Sequence, residues 1–382
     1  MLHRLVITFT LITSCNVLFA ADNSAAISSA LKRAGTNRSQ IQAALDRSPA
    51  KQREGMQFLI AHMPDHDLKT LTAEFLLENV RLAYQAREES SWKANIPNDI
   101  FLNNVLPYAT INERRDRWRK DFHDRFRPLI KDIQSPGLAA TKLNQNISKL
   151  TKVKYSTKRA KADQSPYESM ESGLASCTGL SVLLVDACRS VGIPARVVGT
   201  PLWTNKSGNH SWVEIWDNGW HFTGACEATG DSLDRGWFVG RAATAKRDEL
   251  IHAIYAVSYK RTPQFFPMVW AADNRTVHAV NVTDRYTRKK EKLPEGVVLV
   301  MFRAKAQSTG ERLVTTIKVT DQAGEFIFSG KTKDERFDAN DHVEVQLRLG
   351  QQYQVTFGNG PTGTTQPLKV SKADQLVTLP LP

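Results

Sequence analysis

The chain has 382 residues, with 41% from the hydrophobic set, 24% charged, 21 glycines and 16 prolines. That composition supports packed cores and excludes a disordered or collagen-like chain, and the length predicts two or three domains. The formal net charge of +12 would suit an anionic surface, but a basic helical region accounts for it and no nucleic-acid partner is expected.

Residues 1–20 read as a secretory signal. Arg4 supplies the positive end, LVITFTLITSCNVLF the apolar run, and Ala20 the small residue before the cut. Ile12-Thr13-Ser14-Cys15 has the form of a bacterial lipobox, which would make Cys15 a lipid anchor. The apolar residues beyond Cys15 favour cleavage after Ala20. No other stretch is long and apolar enough to span a bilayer, so the mature protein is expected to be exported, periplasmic or extracellular. Removal of the signal leaves Cys177, Cys188 and Cys226, an odd number that flags a free thiol.

Residues 21–165 carry helical periodicity. From Thr72 to Tyr84 the residues Leu76, Leu77, Val80, Ala83 and Tyr84 share a face. From Asn112 to Arg127 charge is dense, with Trp118, Phe122 and Phe126 as a core stripe and the arginines as a solvated face. His62 and His66 have helical metal spacing, but Pro64 between them predicts a loop.

Residues 166–288 read as an α/β unit. Leu180, Leu183, Leu184, Ala187 and Val191 keep helical spacing from Cys177, and Gly192 and Pro194 end the helix. Cys177 and Cys188 on that helix stand about 16 Å apart, beyond the disulfide limit of about 7 Å. Ala195–Gly199, Ser211–Trp216 and Val277–Tyr286 are expected strands, with Asn218-Gly219 as a hairpin turn. Lys289 to Pro294 reads as a linker, and six or seven alternating segments across 295–382 predict an accessory β-sandwich without a catalytic cluster. The whole is therefore a multidomain α+β chain.

Chemistry gathers around Cys177. At a helix start, the dipole and unpaired N–H groups favour thiolate over thiol. The polar neighbours Ser176, Thr178 and Gly179 weigh against an inert buried cysteine. His210 lies on a strand face with Trp212, Glu214 and Trp216, where it can serve as base or as a structural residue. If Asn218-Gly219 is a two-residue loop, Asp217 faces Trp220 and His210 falls opposite Glu227, with Cβ atoms about 4.5–5.5 Å apart. A carboxylate there would orient the imidazole and stabilise its cation. Cys188 and Cys226 are expected to pack, Cys226 on the opposite strand face from Glu227. Gln164 and Asn209 are possible oxyanion donors, and Trp203, Trp212 and Trp220 can line a groove or pack a core.

Three segments, ASCTGLSVLLVDACRSVGIPARVVG, NHSWVEIW and NGWHFTGACE, together resemble the transglutaminase-like superfamily over about residues 166–240. The resemblance implies a papain-like fold and a Cys–His–acid site acting on the acyl groups of amides. Its usual acid follows the third-strand tryptophan by four positions. Counted from Trp220 that position is Gly224, which has no side chain, so Glu227 is taken as the substitute. The last domain resembles a transthyretin-like, carboxypeptidase-regulatory-type sandwich in VTDQAGEFIFSGKT and LRLGQQYQVTF, which implies an accessory or surface-binding module.

The expected function is an exported thiol enzyme acting on peptide or glutamine-type amides through Cys177, His210 and Glu227. Hydrolysis is preferred to cross-linking, the substrate is a polypeptide or cell-envelope component, and no cofactor or metal is called for. The competing expectation, motivated by Gly224, is a catalytically silent binding or cell-envelope structural protein that keeps the fold. Substrate identity and oligomeric state are not legible.

Overall fold

A computed structural model describes residues 24–288, 293–358 and 363–382. The expected signal with Cys15, and residues 289–292 of the expected linker, lie outside the described residues. The helical region comprises α1 (24–33), α2 (Arg38–Arg47), α3 (Arg53–His62), α4 (Asp65–Thr70), α5 (Ala73–Glu89), α6 (Asn98–Asn104), α7 (Trp118–Ile130) and α8 (Pro136–Thr151). Thr72 starts α5 by accepting the Phe75 N–H on its hydroxyl. On the expected face, Leu76, Val80 and Ala83 are buried, while Leu77 and Tyr84 are half-buried. His62 and His66 fall on separate helices, parted at Met63-Pro64. No described helix is long and apolar enough to cross a membrane.

The charged stretch before and within α7 departs from expectation at Arg119. Trp118, Phe122 and Phe126 are buried as the stripe requires, but Arg119 is buried with them. Its guanidinium donates to Asn79 Oδ1 at 2.9 Å and to the carbonyls of Arg189, Val105, Leu106 and Pro107. Burial, and then the charge of Arg189, lower its pKa to about 9. The loop after α6 and the end of the helix that closes at Ser190 thus meet at one cation, which supplies a charged donor to each of these carbonyls.

Two helices follow: the short α9 (Pro166–Ser172) and the longer α10 (Cys177–Ser190). Between them, β2 (Leu174–Ala175) pairs in parallel with β1 (Lys154–Tyr155). A six-stranded antiparallel sheet then forms in the order β5-β4-β3-β6-β8-β7. Its strands are β3 (Ala195–Thr200), β4 (His210–Trp216), β5 (Trp220–Thr223), β6 (Tyr255–Ser258), β7 (Gln264–Phe265) and β8 (His278–Asn281). Val197, Val213 and Ile215 share the core with α10 and the N-terminal helices, while Val198 and Trp212 on the other sheet face pack with Trp203, Phe238 and Tyr286. Gly192, at φ +80°, lets the chain leave α10 beside α5; a Cβ there would sit 2.6 Å from the Ala86 carbonyl oxygen.

The expected strand Val277–Tyr286 stops at Asn281. The Asn281 Oδ1 accepts from the Thr283 N–H and hydroxyl, which turns the chain into α12 (Thr283–Thr287), after the earlier α11 (Val239–Ala242). The C-terminal part contains β9 (Val297–Ala306), β10 (Arg312–Leu313), β11 (Thr316–Asp321), β12 (Phe326–Lys331), β13 (Val343–Arg348), β14 (Gln352–Phe357), β15 (Thr364–Lys369) and β16 (Gln375–Leu381). One four-stranded sheet holds β9, β10, β13 and β16, and the other runs β12-β11-β14-β15. Their inward residues, Val300, Phe302, Ile317, Val319, Val355 and Leu379 among them, form a separate core. The strand β15 escapes sequence patterning because TTQPLK alternates poorly and carries Pro367. All edge pairings are antiparallel except β16, which runs parallel to β9.

Arg119→Ala takes a donor from one side-chain amide oxygen and four carbonyls, of which Leu106 keeps Asn79 and Arg189 keeps Gly192. It is expected to cost at least about 3 kcal/mol in urea unfolding, whereas Arg117→Ala on the exposed side should cost less than about 1 kcal/mol.

Candidate active site

The start of α10 is set by Ser176. Its hydroxyl accepts the Gly179 N–H at 3.0 Å and donates to the Ala162 carbonyl at 2.7 Å. Cys177 is therefore the first residue of the helix, where main-chain N–H groups have no intrahelical acceptor. Its neighbour Thr178 ties the helix start to the sheet through a 3.0 Å contact with the Ser211 hydroxyl. Ser211 follows His210, so this one contact sets nucleophile and imidazole side by side.

His210 opens β4 opposite Thr200 and is 1% exposed. Its ring is walled by Trp237, Phe238, Trp212 and Trp203, with centroid separations of 4.7, 5.1, 5.8 and 6.1 Å. Two of the three tryptophans singled out by sequence, Trp203 and Trp212, thus build the walls of the imidazole pocket. Trp220 instead carries Arg196 over its face at 3.7 Å and meets Trp216 edge-on.

The hairpin after β4 is not the expected one. Trp216 pairs with Trp220, so the loop has three residues, and Asp217 does not face Trp220. Asn218 takes a left-handed φ of 56° in that loop, and Asp217 faces another element. Its Oδ2 accepts the Ser135 hydroxyl at 2.6 Å and the Gly137 N–H at 3.2 Å, capping the start of α8. Register moves by one residue, and β5 ends at Thr223. Asn144 of α8 then holds the following turn, donating to the Thr223 hydroxyl and the Gly224 carbonyl and accepting the Cys226 N–H. Cys226 takes a left-handed φ of 61°, so neither it nor Glu227 lies on a strand, and the expected cross-strand pair of His210 with Glu227 does not form.

Glu227 nevertheless folds back toward the pocket. Its Oε2 lies 2.1 Å from where a Cβ on Gly224 would stand, and it accepts the Trp237 indole N–H at 3.0 Å. The missing side chain at Gly224 makes room for this carboxylate. Burial pushes the Glu227 carboxyl up to about 7, the Asp338 charge adds to that rise, and His210 and Trp237 oppose it.

The carboxylate beside the imidazole is Asp338, from the stretch between β12 and β13 of the sandwich. Its Oδ2 is 3.5 Å from His210 Nδ1, and the two side chains are 2% and 1% exposed. One ligand-type atom from each of Cys177, His210 and Asp338 lies within 4.8 Å of the others. Burial by itself would lower the imidazole pKa, but Asp338 on one side and the Cys177 sulfur on the other hold it well above its ordinary value. Asp338 in turn is held below the ordinary carboxylate range: burial opposes this, while His210, the Asn340 N–H and Arg312 bring it about. Sequence reasoning missed Asp338. Its one local signal is the D-A-N-D turn chemistry, in which Asp338 Oδ1 accepts the Asn340 N–H.

The other candidates have structural partners. Glu214, the rival acid on β4, is bound by Arg196, Arg285 and Tyr286 on a fully buried carboxylate. The Gln164 amide donates to Glu168, Ser172 and Leu174, and the Asn209 carbonyl accepts from Asn340. All three described cysteines are free. Burial pushes the Cys226 thiol up to about 12, with the Glu227 charge adding, and raises the buried Cys188 thiol further still. A zinc ion is able to bridge atoms spaced as in the Cys177–His210–Asp338 trio, but it would occupy the thiolate and imidazole that acyl chemistry uses.

Comparison with known proteins places this site in context. Residues 126–225 match the model of the transglutaminase-like superfamily. The matched span includes Cys177, His210 and Gly224 and ends before Glu227 and Asp338. Similar solved structures include red sea bream transglutaminase, at 10% identity and TM-score 0.32 over 74% of this chain and 66% of that one. A protein of Cytophaga hutchinsonii, provisionally described as a cysteine protease, matches at 14% identity and TM-score 0.30 over 54% of this chain and 62% of that one. The Bacillus anthracis TIE protein matches at 10% identity and TM-score 0.19 over 50% and 30%. The chain spans less than two thirds of the length of each of these. No curated protein matches the chain.

A carboxyl with a raised folded-state pKa costs nothing while protonated in both states, and its penalty grows as pH rises from 4.5 to about 7. Glu227→Gln is therefore expected to raise Tm at pH 8 and to leave it near wild type at pH 4.5, as read by thermal unfolding at the two pH values.

Proposed function

We propose that this chain, which carries a transglutaminase-like domain at residues 126–225, is a thiol enzyme that cleaves amide bonds through a Cys177 acyl intermediate. The observation that carries the reading is the placement of the Cys177 sulfur, at the N-terminus of α10, within reach of a buried imidazole whose charged form is favoured. A lone structural cysteine has no need of such a partner.

The chemistry follows from that pair. The Cys177 thiolate attacks the amide carbonyl, forming a C–S bond, while first-turn N–H groups of α10 receive the developing oxyanion. Imidazolium at His210 gives its proton to the departing nitrogen as the C–N bond breaks, and the amine leaves. Water then attacks the thioester, with His210 taking one of its protons. The C–S bond breaks, the carboxylic acid departs, and the thiolate–imidazolium pair is restored. An amine in place of water would give a new amide; hydrolysis is the reading adopted, with a polypeptide or cell-envelope amide as substrate. The N-terminal segment supports export with a mature chain beginning at Ala21.

Iodoacetamide labelling followed by mass spectrometry tests the nucleophile. Cys177 should alkylate well below pH 8, at a rate unaffected by EDTA, while Cys188 stays unlabelled until the protein unfolds. Amide cleavage should vanish in Cys177→Ala and persist in Cys188→Ala and Cys226→Ala; equal loss in all three folded variants would refute the assignment. Chelator-sensitive labelling would show a bound metal instead. Intact mass of the native product checks export: a diacylglyceryl chain starting at Cys15 would replace cleavage after Ala20.

A further inference from the structure

We propose that Asp338, carried by the C-terminal sandwich, is the positioning carboxylate of the thiol site, so that the sandwich is an integral part of the active centre and not an accessory to it. This rests on the thiol reading above and adds to it the residue that orients the base and the part of the fold that supplies it.

Three independent observations carry the assignment. The first is geometry: of the two acids that reach toward the ring, Asp338 is the one 3.5 Å from Nδ1, while Glu227 is engaged by the Trp237 indole. An acid at Nδ1 leaves the other nitrogen free to exchange a proton with sulfur, which is the tautomer acyl transfer needs. The second is the cavity wall. Four aromatic rings enclose His210 and none carries a formal negative charge, so a carboxylate for the ring has to come from outside β4, where Glu214 is already bound by Arg196, Arg285 and Tyr286.

The third is the way the loop is held. Arg312, itself 5% exposed, donates from its two terminal nitrogens to the carbonyls of Asp338 and Phe337, at 2.9 and 2.6 Å. Asp338 Oδ1 is occupied by the Asn340 N–H, which leaves Oδ2 for the imidazole. On the other side of the boundary, Ala339 N–H donates to the Tyr155 hydroxyl at 2.8 Å and Asn340 Nδ2 to the Asn209 carbonyl at 3.2 Å. Asn209 is the residue immediately before His210, so the loop grips the imidazole's own backbone. A loop that only covered the surface would not spend a buried arginine on fixing a buried acid.

The groups facing His210 are the Cys177 thiol from α10, Asp338 from the loop and Glu227 from the turn after β5. Behind Asp338 stand Arg312, Asp341, His342 and Tyr155. Removing the Asp338 charge takes away what holds the imidazole's proton. His210 then deprotonates at lower pH, and the neutral thiol–imidazole pair gains on the ion pair.

The test measures the rate of Cys177 alkylation by iodoacetamide against pH in the full chain. Asp338→Asn should slow alkylation at pH 6 by about tenfold as the neutral pair displaces the ion pair, while Asp338→Glu regains most of the wild-type rate. Glu227→Gln and Asp341→Asn should change the rate at pH 6 far less. A peptide amide that the wild type cleaves should lose about 10²–10⁴ in kcat with little change in KM in Asp338→Asn. A wild-type pH profile in Asp338→Asn, or the full slowing in Glu227→Gln instead, overturns the assignment. If Asp338→Asn does not fold, Asp338→Ser decides: a slowed rate at pH 6 supports the role and an unaltered profile rejects it. Failure of wild-type Cys177 to react below pH 8 would instead remove the thiol reading itself.

Discussion

A charged imidazole walled by indole and phenyl rings is stable only beside an opposite charge, and much of this structure serves that requirement. His210 cannot draw the charge from its own strand, because Glu214 is already taken by Arg196, Arg285 and Tyr286. It cannot draw it from the position four residues after Trp220, because that residue is Gly224. The charge arrives from Asp338, on the stretch between β12 and β13, outside the aromatic cluster that walls the ring. Arg312 pays for the burial of that acid's backbone, and Arg241 fastens the same face through Glu344 and the Met301 sulfur.

Gly224 and Glu227 illustrate how a site can keep a carboxylate while losing the residue that would ordinarily hold it. The space vacated at Gly224 is filled by the Glu227 head group, swung back from a turn that Asn144 clamps. The result is a second acid near the imidazole whose proton affinity is high because it is buried, with the Asp338 charge adding to the effect. Two carboxylates this close do not ionise equally, and the one nearer the cation keeps the charge. That ordering is consistent with a lowered Asp338 and a raised Glu227.

Much of the scaffold was legible in the sequence because its signals are local. Helical spacing from Cys177 to Val191, the Gly192-Ile193-Pro194 stop, and the alternation on either side of Asn218-Gly219 all depend on residues within a turn or two. What sequence could not supply was competition from afar. The Asp217 carboxylate caps the start of α8, 80 residues upstream at Gly137, from a three-residue loop whose register is one step from the expected one. Arg119 looked like part of a solvated face until carbonyls from α6's exit and from Arg189 claimed it. Asp338 is a similar case: an acid in a polar turn of a sandwich resembles hundreds of solvated ones, and only the folded chain brings it to His210.

The Tyr155 hydroxyl gives the arrangement a mechanical side. Tyr155 belongs to β1, its partner Ala175 on β2 lies two residues before Cys177, and its hydroxyl receives the N–H of Ala339, next to Asp338. One short lever therefore joins the loop that steadies the base to the strand that delivers the nucleophile. The position of the base and that of the nucleophile thus share one support, and a change in the seating of Tyr155 would be felt at both.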